Sequence, residues 1–492
     1  MQPPPSITDL TAKTRDRLFI GGRWIESSNN EPLVLVSPDY GKAFASAAQA
    51  GIDDVDAAVA AARLAFDAGP WGRMTVPDRA IILHRLVDRL ETRTSELAKA
   101  WNAQVGALMS AAPSLISEAN AIARTVVEQA KVFPNLTRAP TTEAHTALIA
   151  REPVGVVAAI APWNFPLAIP TWKVAPALLA GCGAVLKPSP LTPLTSALLV
   201  QAFADAGVPA GVLNLIQGDR EAGEALVADP RVAGISFTGS LPVGQAINRA
   251  GAGRLMRTQL ELGGKNALIV LEDANLDAAV DAIIYGAFGQ GGQRCSATSR
   301  IIVDRKVHDA LLSRLVPRIQ AMRIGRGDQD WADIGPVVND EREQACLEAV
   351  EKAVAEGAEI ACGGKAVTLD TPGYFVEPTV LTNVAWDSEL AQEEVFGPMV
   401  SVIACDGYGE AMRISNSVRY GMSGTIFTQN PSLMFQALQD FEAGMLHVNR
   451  PGVGSYVHLP HVGAKSSQLG APECSPDVWN FYTDLRSACI KY

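Results

Sequence analysis

Nothing in these 492 residues approaches the roughly 18 consecutive apolar side chains that a membrane span needs. The run at 154–161 stops at Pro162. The opening Met1-Gln2-Pro3-Pro4-Pro5 lacks a basic segment followed by an apolar one, so no secretion signal is expected. Positive charge is in deficit: 41 Lys and Arg stand against 52 Asp and Glu, a net −11 with no basic stripe. That balance argues against nucleic acid and anionic membrane surfaces as partners. Cysteine is sparse, at 182, 295, 346, 362, 405, 474 and 489, an odd count without close pairs. Such a set fits the reduced thiols of the cytoplasm rather than a disulfide framework, and no metal site is expected. What is present is ordinary: 48% hydrophobic and 19% charged residues describe a globular protein, and the length calls for two or more domains.

Apolar periodicity predicts helices over 53–68 and 77–101. From residue 150 the texture changes to short β-branched runs alternating with helices. Strands are expected at 154–160, 184–187, 212–216 and 232–237, with helices at 172–180, 194–206 and from Val243. This βαβ alternation builds a parallel sheet whose ligands sit at the carboxyl ends of its strands. A second α/β series runs from 267–271 to about 447–449. Two segments, 137–149 and 480–486, fit neither series and read as extended; they are surface connections or edges seeking a partner strand.

Phe288-Gly289-Gln290-Gly291-Gly292-Gln293-Arg294-Cys295-Ser296 places one cysteine behind a glycine-rich turn and beside a cation. Glycine permits close backbone approach, and an adjacent cation favours thiolate, the nucleophilic form. A core cysteine after a turn would look the same. Phe237-Thr238-Gly239-Ser240, with Gly244 beyond, joins a strand to a helix and could cradle an anion on backbone N–H groups; a plain connection is the alternative. Lys187 closes the strand before Pro188 and Ser189, within reach of a phosphate or ribose hydroxyl. In Glu261-Leu262-Gly263-Gly264-Lys265 a carboxylate precedes two glycines, as a general base or a solvated loop residue. Asn164, in Ala161-Pro162-Trp163-Asn164-Phe165-Pro166, could donate to an oxyanion or simply make a turn.

Read together with Glu393-Glu394-Val395-Phe396-Gly397-Pro398, and with Phe19-Ile20-Gly21-Gly22-Arg23-Trp24 as an opening, these windows resemble the aldehyde dehydrogenase superfamily from about residue 18 to 486. The non-phosphorylating, non-acylating branch is the nearest likeness, because CoA-acylating relatives usually lack the carboxylate found here as Glu261. A catalytically silent member would be expected to have lost Cys295, Glu261 or Asn164, and all three are present.

The resemblance implies an α/β fold of two doubly wound, Rossmann-like parallel-sheet domains plus a small β oligomerisation extension. It places an NAD(P)-binding domain at 1–133 and 152–262, a catalytic domain at 263–468, and oligomerisation segments at 134–151 and 469–492, giving a dimer or dimer of dimers. By the same likeness Cys295 attacks the aldehyde, Asn164 and the Cys295 N–H hold the oxyanion, and hydride passes to the nicotinamide. Glu261 then activates the water that hydrolyses the thioester, with Lys173 in a proton relay behind it. Ile160, Ala161, Pro162, Trp163, Lys187, Ser189, Gly218, Gly223, Phe237, Thr238, Gly239, Ser240, Leu262, Glu394 and Phe396 are the expected cofactor contacts. Many NAD-preferring members carry a glutamate three residues past the lysine; Pro190 stands there instead, so NAD or NADP is expected, NAD ahead. The late glycine cluster is eroded at residues 460–468, which points to a reshaped tunnel mouth. Arg294 and Arg450 are expected to grip an anionic aldehyde such as a semialdehyde. Phe165, Trp172, Ser296, Tyr456 and His461 are the remaining expected substrate contacts, and a neutral aldehyde in an apolar tunnel is the alternative.

Overall fold

The computed structural model describes residues 17–141, 145–454 and 457–491. Two sheets organise them. In the first, strands Leu213–Leu215, Gly183–Lys187, Val156–Ile160, Val232–Thr238 and Arg257–Glu261 lie side by side in that order, all parallel. Leu18–Ile20 and Arg23–Ile25 extend one edge antiparallel, and Gln468–Leu469 closes the other against Arg257–Glu261. The continuous apolar run at 156–160 follows from burial on both faces. Val157 and Ala159 pack with helix Ala168–Ala180, while Val156 and Ala158 pack with helix Ile52–Ala68.

The second sheet orders Glu359–Cys362, Thr379–Thr382, Met399–Cys405, Thr298–Asp304, Asn266–Val270, Ser423–Phe427 and Met445–Val448. Every pairing is parallel except that of Glu359–Cys362. Thr483–Ile490, Thr146–Pro153 and Leu136–Ala139 form a separate antiparallel sheet, so the two extended segments find each other. The α/β class with parallel sheets and a small β extension is therefore what the chain adopts.

Local readings differ in three places. The helix expected at 77–101 is two, Val76–Glu91 and Thr94–Val105. The Thr92 and Thr94 hydroxyls donate to the carbonyls of Arg89 and Glu91, competing with helix continuation. Helix Ala112–Gln129, which the sequence reading left without an element, packs against Ala168–Ala180. Finally, 480–482 is not extended: Trp479–Tyr482 forms a helical turn that buries Phe481 and Tyr482, and the strand starts at Thr483. The ends of the parallel strands bring Ile160, Lys187, Thr238 and Glu261 to one edge, toward the loop that carries Cys295.

Candidate active site

Cys295 follows the turn Gly289–Gly292, in which Gln290, Gly291 and Gly292 all adopt left-handed backbone. At Gly292 a side chain would collide with the Gly397 carbonyl, so glycine is required there. The loop is pinned from several sides. Asn266 Nδ2 donates to the carbonyls of Cys295 and Ala297, both at 2.8 Å. Gln290 Nε2 donates to the Asn164 carbonyl at 2.5 Å, and the Asn164 amide donates back to the Gln293 carbonyl at 3.1 Å. Asn164, buried at the end of strand Val156–Ile160, is thus locked to the cysteine loop.

The thiol is held protonated. Burial, then the carboxylates of Glu261 and Glu394, push Cys295 up to about 12, against the N–H of Ser296. Arg294 is not among the main groups that set this shift, so the expected thiolate beside the cation is not what rests here. Its guanidinium instead lies over the rings of Phe165 and Tyr285, at 5.8 and 5.5 Å.

Glu261 ends its strand almost wholly buried, with both carboxylate oxygens unpartnered. Burial and the nearby Glu473 raise its pKa well above the ordinary carboxylate value, and Lys173 opposes them. Lys173, wholly buried on helix Ala168–Ala180, makes an ion pair with buried Glu473 and donates to Ser236 Oγ at 3.1 Å. A cavity of about 380 Å3 opens onto this group. Its lining includes Cys295, Ser296, Glu261, Glu473, Thr238, Phe165, Trp172, Arg294 and His461. Trp172 and His461 stack with centroids 5.0 Å apart.

A second set of groups lies at the neighbouring strand ends. Lys187 Nζ donates to the carbonyls of Gly218 and Pro188, at 2.7 and 3.2 Å, and burial brings it down to about 8. A side chain at Gly223 would press on the Lys187 stem at 3.4 Å. Helix Leu241–Ala252 starts at Ser240 with no side-chain cap, leaving its first N–H groups open to an anion. Gly239 sits over the Phe237 ring, and Gly244 packs on Leu262. Glu394 accepts from the Gly264 N–H at 2.9 Å; burial raises it to about 7. A side chain at Gly263 would meet the Glu394 carboxylate and displace it. Trp163 meets Phe396 edge-on at 5.7 Å, and Phe396 has a left-handed backbone. Ser189 Oγ accepts from the Leu191 N–H, and Pro190 places no carboxylate nearby. An ammonium, an open helix N-terminus and a buried carboxylate beside glycine cradles fit a dinucleotide: hydroxyls at Lys187 and Glu394, phosphates at Ser240.

The sequence profile described as Aldehyde dehydrogenase family matches residues 24–488. The chain belongs to the aldehyde dehydrogenase family. It is 34% identical over 477 residues, covering 96% of this chain and 97% of the relative, to alpha-ketoglutaric semialdehyde dehydrogenase of Bacillus subtilis. It is 36% identical over 488 residues, 96% and 99% of the two chains, to 2-hydroxymuconic semialdehyde dehydrogenase of Pseudomonas sp. (strain CF600). The crystal structure of betaine aldehyde dehydrogenase from Staphylococcus aureus in complex with NAD+ is similar at a TM-score of 0.95 and 30% identity, over 99% and 97% of the chains. The protein is therefore an oxidoreductase that converts an aldehyde to its acid with a nicotinamide dinucleotide. Among the described residues no helix is long and apolar enough to cross a membrane.

Within this aldehyde dehydrogenase the expected substrate residues do not all meet. Arg450 is exposed beyond strand Met445–Val448 and is not part of the cavity lining, so the guanidinium pair is not assembled. Tyr456 lies outside the described residues. Sequence reasoning missed Glu473, Glu118 and Tyr285, all of which line the cavity. No local motif marks them; only packing of distant segments brings them in. The high pKa of Cys295 has a direct consequence. Alkylation of Cys295 by iodoacetamide, followed by mass spectrometry of its peptide, should speed up about tenfold per pH unit from pH 7 to 10. A plateau near pH 7 would contradict the protonated resting thiol.

Proposed function

We propose that this enzyme oxidises an aldehyde carrying a distant anionic group, a semialdehyde, through a thioester on Cys295. The observation that carries the substrate reading is Arg294. It is the sole lysine or arginine among the described residues lining the cavity. A substrate carboxylate would pair with its guanidinium. The names of the two relatives given above, both semialdehyde dehydrogenases, support the reading. Neutral aldehydes are the alternative, favoured by Phe165, Ile169, Trp172, Tyr285 and Val457 along the wall.

In this mechanism Glu261 takes the Cys295 proton, and the thiolate sulfur attacks the carbonyl carbon. One amide proton of Asn164 is committed to Gln293; the second, with the Cys295 N–H, stabilises the oxyanion. A bound nicotinamide supplies the acceptor for the substrate hydride. Glu261 releases that proton to solvent through the cavity and then removes one from water, whose oxygen attacks the thioester carbon; the C–S bond breaks, the acid leaves, and Glu261 returns its proton to the Cys295 thiolate. The Lys173–Glu473 pair tunes the charge Glu261 carries between these steps.

Lys187 and Glu394 would hold the two riboses, and NAD is proposed ahead of NADP. With Pro190 in place of a carboxylate, that position does not repel a 2′-phosphate, so both cofactors should turn over. We further propose a homodimer. Strands Leu136–Ala139 and Thr483–Ile490 are the edges of their sheet, and Leu136, Leu485 and Ile490 are exposed on them. Sedimentation at micromolar concentration reads the assembly, and a monomer there would refute it.

Two kinetic tests follow from these assignments. Arg294→Ala should lower the kcat/KM ratio of an ω-carboxy aldehyde to a neutral aldehyde of equal length by about 10–100-fold, the worth of a charged hydrogen bond. An unchanged ratio would favour the neutral alternative. Pro190→Glu should raise KM for NADP at least about tenfold more than KM for NAD, by like-charge repulsion. Equal changes would place the adenine ribose elsewhere.

A further inference from the structure

Part of the lining of the substrate cavity is polar and takes no part in the chemistry at Cys295. Helix Ala112–Gln129 turns Ser114, Ser117, Glu118 and Ala121 toward it, the spacing of a single helical face. Arg294 lines the same cavity, its guanidinium resting on Phe165 and Tyr285. The two charges sense each other. Burial raises the Glu118 carboxyl to about 7 against the opposing pull of the Arg294 guanidinium.

This arrangement creates a conflict for a simple carboxylate tail. Arg294 attracts it, but an ionised Glu118 repels it and must share a poorly hydrated space with it. An apolar tail fares no better, because it offers the Arg294 guanidinium no acceptor. A tail with both an anion and a hydrogen-bond donor resolves the conflict. Its carboxylate accepts from Arg294, and its donor is accepted by the Glu118 carboxylate.

We propose that Glu118 and Arg294 jointly read a two-part tail, selecting aldehydes whose far end is a carboxylate with an adjacent hydroxyl or ammonium group. The inference rests on the semialdehyde reading of Arg294 and adds a second determinant that discriminates within that class. Glu118 acts here as a specificity residue, distant from the bond-making steps.

The test uses the full-length enzyme at pH 8 with saturating dinucleotide. Four aldehydes of equal chain length are compared: neutral, ω-carboxy, and ω-carboxy bearing a 2-hydroxy or a 2-amino group. In the parent enzyme at least one substituted acid should exceed the plain acid about tenfold in kcat/KM, through KM. A gain confined to the amino compound identifies an ion pair with Glu118, and a gain shared with the hydroxy compound identifies a hydrogen bond. In Glu118→Ala that ratio should fall toward one, while the plain acid gains because Arg294 is no longer neutralised. Glu118→Gln should keep part of the hydroxy preference, since its amide oxygen still accepts. Thermal melting matching the parent confirms that each variant is folded. If both kinds of acid beat the neutral aldehyde but their ratio is near one, or is unchanged in Glu118→Ala, this inference is overturned while the semialdehyde reading stands. If the neutral aldehyde equals or beats every acid, the semialdehyde reading fails and this inference falls with it.

Discussion

A buried ion pair between Lys173 and Glu473 underlies the arrangement of the active site. Lys173 reaches from helix Ala168–Ala180 to Ser236, whose hydroxyl donates to Gln259 Oε1 at 2.7 Å. Gln259 Nε2 in turn donates to the carbonyls of Ala471 and Pro472, both at 3.2 Å, next to Glu473 itself. The hydrogen bonds close into a ring joining two neighbouring strands, a helix and a distant loop. Tyr482 adds a further tie, its hydroxyl donating to the Lys173 carbonyl at 2.9 Å. Such a pair adds little net stability over apolar packing, but losing one partner would strand a buried charge at a cost of about 3–5 kcal/mol. Its value is positional. It brings the carboxylate of Glu473 to the cavity beside Glu261 while leaving the Glu261 oxygens without a fixed partner.

The electrostatics of the pocket follow from that placement. Burial and neighbouring carboxylates raise both Cys295 and Glu261, so the nucleophile and the proposed base rest in matched, poorly solvated surroundings. Proton transfer between groups displaced in the same direction is easier than between a buried thiol and a solvated carboxylate. The cation next to the cysteine lines the cavity instead, and the proposed roles of these two adjacent residues are separate: reactivity at Cys295, selectivity at Arg294.

The legible parts of the molecule were those written locally. Alternating β-branched and helical runs at 154–237 translate into the first parallel sheet because those strands are covered on both faces. Lys187, Glu261 and Cys295 stood out because strand ends and glycine turns carry them. Glu473 and Glu118 did not, since one sits in a two-residue strand, too short to carry a pattern, and the other on a helix whose surface pattern is unremarkable until it packs. Arg450 stands exposed beyond strand Met445–Val448 and outside the described cavity lining, a placement that its sequence neighbourhood does not register. The division of the long helix at Thr92 and Thr94 came from side-chain hydroxyls competing for backbone carbonyls, an effect that apolar periodicity does not register.

The central claim is that Glu261, buried and unpartnered, is the base that hydrolyses a thioester on Cys295. Rapid-mixing of Glu261→Gln with aldehyde and NAD, combined with intact-protein mass spectrometry, tests it most directly. The account predicts at most one equivalent of reduced nicotinamide per active site, formed more slowly than in the parent because Cys295 has lost its proton acceptor, an acyl group retained on Cys295, and steady turnover lowered by at least about 100-fold, the lower bound of the range for general-base catalysis. Full steady turnover, or an acyl group on any other residue, would contradict it.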